Sequence, residues 1–165
     1  MNIIDDKIGI HKLVQMLAEE HLIPVFGAGF SRGAAAAGGT VPDGKTANNM
    51  MKDIINQCAD FIISKETLED KSFNETSKLF NQLNQRGILK GRYKEFFRKN
   101  FTEVELDKVK TAFLDIPWPY ALTLNVDDAI ERTRAFEAIL PYLDADNKNT
   151  HGKVVYKLHG DAAFE

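Results

Sequence analysis

The sequence predicts an α/β fold, a partial Rossmann-like parallel sheet carrying a helical insertion, and three observations point there. Leu22-Ile23-Pro24-Val25-Phe26, Tyr120-Ala121-Leu122-Thr123-Leu124-Asn125-Val126 and Val154-Val155-Tyr156-Lys157-Leu158 are short apolar runs of the kind that form buried parallel strands. Each ends in a polar or glycine-rich cluster, and helical stretches separate them, which is the pattern of an α/β sheet. The chain has 165 residues, enough for one domain that buries about two thirds of its unfolded surface.

In chain order, residues 8–20 place Ile10, Leu13, Val14, Met16 and Leu17 at helical spacing, so an amphipathic helix leads. The first strand then delivers the chain into Gly27-Ala28-Gly29, with Pro24 near its start. Residues 32–45 are rich in glycine and alanine and contain Pro42-Asp43-Gly44, which predicts a loop or short helix with a turn. From 46 to about 115 the pattern is helical throughout. Met50, Met51, Ile54, Ile55, Cys58 and Ile62 keep one face apolar, as do Leu79 and Leu83, then Phe96, Phe97 and Phe101. Pro117-Trp118-Pro119 ends this insertion and the second strand follows. Asp127 is placed to cap a further helix through Ala129, Ile130, Glu131 and Arg132. Residues 144–152 are polar and turn-like, and the third strand runs into His159-Gly160-Asp161.

Composition excludes several classes. Hydrophobic residues at 44% and charged residues at 27% rule out a disordered or collagen-like chain. Lys and Arg number 21 against 24 Asp and Glu, a net charge of -3, so nothing draws the chain to nucleic acid or an anionic membrane irrespective of sequence. The single cysteine, Cys58, supports neither a disulfide nor a cysteine-rich zinc site and reads as core packing. No apolar run approaches the roughly 20 residues of a membrane span, and Asn2-Ile3-Ile4-Asp5-Asp6 is acidic where a signal peptide would be basic. A reducing, cytoplasmic setting is expected. His11, His21 and His151 have no partners at metal-ligand spacing, so no metal is expected.

Ligands of parallel sheets bind at the carboxyl ends of the strands, which directs attention to the three clusters. Gly27-Ala28-Gly29-Phe30-Ser31 is a candidate phosphate cradle: small residues admit a pyrophosphate to the backbone, and a helix starting there would offer free N–H groups. The third glycine of the dinucleotide fingerprint is replaced by Arg32, with Gly33 one residue late, so an ordinary strand-to-helix turn is the competing reading. Gly39-Thr40-Val41-Pro42-Asp43-Gly44-Lys45-Thr46 fits the P-loop string letter for letter. Its context speaks against it, because alanine and glycine stand where a buried strand must precede and Pro42 removes an N–H from the loop. Thr123, Asn125 and Asp127 alternate and therefore share one strand face, where buried polar groups need partners. They serve either a ligand or the cap of the next helix. His159, at the end of the third strand, is either a hydrogen-bonded structural residue or a base.

Taken in order, Gly27-Ala28-Gly29-Phe30-Ser31, Pro42-Asp43, Thr123-Leu124-Asn125-Val126-Asp127 and Lys157-Leu158-His159-Gly160-Asp161 resemble the sirtuin-like NAD-consuming family. The resemblance implies that Gly27, Ala28, Gly29 and Ser31 hold the NAD pyrophosphate and that Asp43 lies near nicotinamide. It also implies that Asn125 and Asp127 meet the ribose, with Thr123 among the cofactor-binding residues, and that His159 acts as the base. Catalysis is expected of Asn125 and His159. The protein-deacylating members carry a four-cysteine zinc module, which one cysteine cannot supply, and have Gln where Leu124 stands. What remains is similar to the bacterial branch that hydrolyses NAD, commonly as effectors of antiphage defence.

That branch implies an NAD glycohydrolase, cytoplasmic, working as a homo-oligomer or with a sensor or ATPase partner protein. The alternative is a non-catalytic module that binds NAD or ADP-ribose. A complete sheet of this family continues beyond the His-Gly motif, so the chain is expected to be the N-terminal part of such a domain.

Overall fold

The computed structural model describes residues 7–59, 63–141 and 153–162. The acidic start at residues 2–6, Ile62 and the polar stretch 144–152 with His151 lie outside them. Helix α1 (Lys7–Ala18) is followed by strand β1 (Val25–Phe26) and a small hairpin of β2 (Ala35–Ala36) and β3 (Gly39–Thr40). Helices α2 (Gly44–Ala59), α3 (Lys65–Glu69), α4 (Phe73–Gln85), α5 (Arg92–Phe101) and α6 (Lys108–Asp115) come next. The chain then forms β4 (Ala121–Thr123), a 3-10 turn (Glu131–Thr133), β5 (Phe136–Ile139) and β6 (Lys153–Lys157).

Four strands make one sheet in the order β1-β4-β6-β5, every neighbouring pair parallel. All carboxyl ends therefore point the same way, which is what gathers the three motifs. Phe26, Ala121, Phe136 and Val155 bury one sheet face against Leu114 of α6 and Trp118. The other face carries Val25, Leu122 and Tyr156 in register, with Val25 64% exposed.

The helices α2 to α5 form a second core of Met51, Ile55, Leu68, Phe80, Leu83, Leu89 and Phe96. Such side chains contribute roughly 1.5–3 kcal/mol each on full burial, which is why a helical lobe with many polar surface residues is stable. Its ends are defined locally. Ser72 and Glu75 form a reciprocal capping box at the start of α4, and Ser64 caps α3. Asp107 accepts from the N–H groups of Val109 and Lys110 to start α6. Lys153 Nζ reaches back from β6 to the carbonyl of Ile116 at 2.5 Å and satisfies the far end of α6.

The lobe is tied to the sheet through Asp128. The Asp128 carboxylate accepts from Glu103 N at 2.8 Å and Val104 N at 2.9 Å, and Val41, Val104 and Ala129 are buried beside it.

Several elements differ from the sequence expectation. The stretch expected to be a loop or short helix forms the β2–β3 hairpin, made of Ala35-Ala36 and Gly39-Thr40, where the low strand preference of alanine and glycine hides it. The P-loop string begins in the exposed strand β3, with no buried parallel strand before it. No helix follows the glycine turn: residues 28–33 are turns, and Gly33, at φ +77°, leads the chain towards β2. Residues 102–107 interrupt the helical run, and Glu105 N donates to Ala35 O instead. Nor does Asp127 start an α-helix. One of its oxygens accepts from Ala129 N, but the chain makes only the short 3-10 turn, ended by Arg134 at φ +60°, and then the unforeseen strand β5.

Candidate functional site

At the carboxyl ends of β1, β4 and β6 a cleft of about 830 Å³ opens between the sheet and the helical lobe. Gly27, Ala28, Ser31, Asp43, Asn125, Asp127 and His159 all line it, so residues up to 132 positions apart in sequence share one space. Two of the predicted site residues do not reach its wall. Gly29 sits in the turn behind, and Thr123, 1% exposed, lies beneath. The Thr123 hydroxyl donates to Phe26 O at 3.3 Å and accepts from Asn125 N at 3.0 Å, stitching β4 to β1 below the cleft. A second, apolar groove of about 550 Å³ along Pro24, Val25, Phe113 and Trp118 holds none of the predicted residues.

The alternation seen in sequence has a direct result. Asn125 and Asp127 are 7% and 6% exposed, while Leu124, just before them on the opposite face, is 43% exposed, so the polar side chains face inwards. Asn125 Nδ2 donates to Gly27 O at 3.1 Å and to Ser31 Oγ at 3.2 Å. A backbone carbonyl can only accept, which fixes the amide nitrogen on that side and leaves Asn125 Oδ1 for another donor. The hydroxyl of Ser31, 1% exposed, donates to Asp127 Oδ2 at 2.6 Å. Asn125, Ser31 and Asp127 thus form a directed relay that locks the glycine turn to the end of β4. The N–H groups of Ala28, Gly29 and Ser31 meet no acceptor among the described residues, which gives the turn a small cluster of free donors even without a helix behind it.

Burial pushes the Asp127 carboxyl above its usual range, against the opposing hydrogen bond from Ser31. Asp43 behaves oppositely. It caps α2 by accepting from Thr46 N at 2.8 Å, and that bond holds its exposed carboxyl below the usual range.

Behind the cleft lies a charged cluster that the sequence reading passed over. Lys157 is wholly buried, and its ammonium contacts Glu131 Oε1 at 2.6 Å, Asp161 Oδ2 at 2.7 Å and Asp127 O at 2.6 Å. It therefore joins the β4 loop, the 3-10 turn and the His159 loop. Gly160, at φ +93°, turns the chain so that Asp161 comes back to the ammonium. The available signal was the inward, period-two placement of Lys157 after Val155, with Asp161 four residues on.

Two carboxylates share this one ammonium. Burial, with a push from Asp161, raises Glu131 to about 7 despite the opposing Lys157 charge. Burial alone would lower the Lys157 ammonium, but Glu131 and Asp161 outweigh it and hold it above its usual value. Because the folded-state Glu131 value lies above the unfolded one, its contribution to stability is present below about pH 4.5 and is lost as pH rises through about 7. The expected loss is on the order of 3 kcal/mol. In urea titrations between pH 5 and 8 the unfolding midpoint falls with pH, and Glu131→Gln flattens that slope; an unchanged slope in the variant contradicts the assignment.

Comparison with family models yields no match, and comparison with curated proteins yields none.

Proposed function

We propose that the chain is an NAD+ glycohydrolase that releases nicotinamide and ADP-ribose. The observation that carries this reading is the convergence of the glycine turn, Asn125, Asp127 and His159 in one cleft at the strand carboxyl ends. The resemblance of the four motifs names the substrate.

Each group has a chemical task. The free N–H donors at Ala28 and Ser31, both lining the cleft, suit a pyrophosphate. Cleavage breaks the bond between ribose C1′ and the nicotinamide nitrogen. The electron pair stays with the ring, which leaves neutral, and the sugar passes through an oxocarbenium-like state. An ionised Asp127 beside that sugar favours the positive charge. The Asn125 amide oxygen, turned away from Gly27 and Ser31, can accept from a ribose hydroxyl or the attacking water. Water then bonds to C1′ and surrenders a proton, which His159, exposed at the cleft mouth, can take.

Action as a defence effector in the cytoplasm, in a homo-oligomer or with a sensor or ATPase partner, belongs to the same reading. Incubation of the purified chain with NAD+ tests it by product analysis. Nicotinamide and ADP-ribose in equal amounts are expected. Saturable binding of NAD+ without either product would instead assign a non-catalytic NAD- or ADP-ribose-binding module.

A further inference from the structure

The two walls of the cleft differ in chemistry. Opposite the polar sheet ends, α5 presents Tyr93, Phe97 and Phe101 at i, i+4 and i+8, all lining the cleft and all only partly buried. Their rings form a continuous strip, with centroids 4.9 Å apart from Tyr93 to Phe97 and 5.9 Å from Phe97 to Phe101. Phe73, 46% exposed at the start of α4, borders the same space.

The charges agree with the rings. Among the described residues that line the cleft there are three aspartates, Asp43, Asp127 and Asp161, and no lysine or arginine. Asp161 is matched by the buried Lys157, and Asp127 is buried and accepts a hydrogen bond from the Ser31 hydroxyl, so Asp43 is the exposed carboxylate. Packing explains why Phe96 is aromatic, since it is buried in the lobe core. Tyr93, Phe97 and Phe101 pack against the same core with part of their surface, and the part that packing leaves uncovered lines an acidic cleft. Aromatic faces together with carboxylates are how proteins hold organic cations.

We propose that the helical lobe is a cation-selective wall, and that it receives the positively charged pyridinium ring of oxidised NAD against Tyr93 and Phe97, close to Asp43. The identity of the cation rests on the NAD reading above; the preference for a planar cation rests on the wall alone. The consequence is selectivity by charge. The oxidised nucleotide is held, whereas the dihydronicotinamide ring of the reduced nucleotide and the nicotinamide released on cleavage carry no charge and lose this contact.

Two small probes test the wall without the rest of the nucleotide: 1-methylnicotinamide, which is a pyridinium cation, and neutral nicotinamide, each titrated into the full chain by ligand-observed NMR. The cation is expected to bind roughly three- to thirty-fold more tightly. Phe97→Leu, which keeps an apolar side chain in the lobe, and Asp43→Asn, on the exposed loop, should each reduce that preference. Equal binding of the two probes by the native chain, no binding of either, or an undiminished preference in both variants overturns the proposal. If the cation is preferred but NAD+ is neither bound nor cleaved, the NAD reading fails and the wall stands. If NAD+ is cleaved while the probes bind alike, the wall fails and the NAD reading stands.

Discussion

Replacing Lys157 with methionine is expected to lower the unfolding free energy by about 3–5 kcal/mol at pH 8, the usual cost of leaving buried charges without their partner. Methionine fills much of the same volume, so the loss is electrostatic. Glu131 and Asp161 then face each other with no ammonium between them, and the Asp127 carbonyl loses its 2.6 Å donor. Acid should rescue the variant in part, because a protonated Glu131 needs no counter-charge. At pH 5 the deficit relative to the native chain should shrink, as followed by urea unfolding. A deficit below about 1 kcal/mol at pH 8 would show that the cluster is not the internal brace its distances describe.

Removing His159 is expected to act on chemistry and not on folding. His159 is exposed after β6, and substitution at such a site usually changes stability by less than about 0.5 kcal/mol. Loss of a general base typically costs about 100- to 10,000-fold in turnover. Asn125→Ala should lose turnover to a comparable extent, but with a stability cost of about 1–3 kcal/mol, since its amide spans Gly27 O and Ser31 Oγ in the interior. The two variants thus separate along different axes. His159→Ala should melt like the native chain while failing to turn over, and Asn125→Ala should melt earlier and also fail. Circular dichroism melts beside nicotinamide release distinguish these outcomes, and full turnover in either variant contradicts its assigned role.

The strands were legible because parallel sheet interiors demand apolar runs, and Val25-Phe26, Ala121 to Thr123 and Val155 lie within the runs read from sequence. The inward facing of Asn125 and Asp127 was legible for the same reason, a period of two that sequence displays directly. What sequence hid was set by long-range partners. Nothing near Asp127 announces that Ser31, 96 residues away, donates to one of its oxygens and that no α-helix follows. Nothing near Lys157 announces Glu131, 26 residues back, and lysine is among the residues least often fully buried. The β2–β3 hairpin escaped because two-residue strands of alanine, glycine and threonine carry almost no periodic signal. The aromatic strip on α5 was visible as a helical face, but its part in the cleft depends on how the lobe is tied to the sheet through Asp128.

The most direct test is nicotinamide release from NAD+, followed over time with the native chain and with His159→Ala at equal folded concentration. An NAD+ hydrolase gives steady release from the native chain and at least about 100-fold less from the variant. NAD+ left intact by the native chain, or cleaved equally well by both, contradicts the assignment of this cleft.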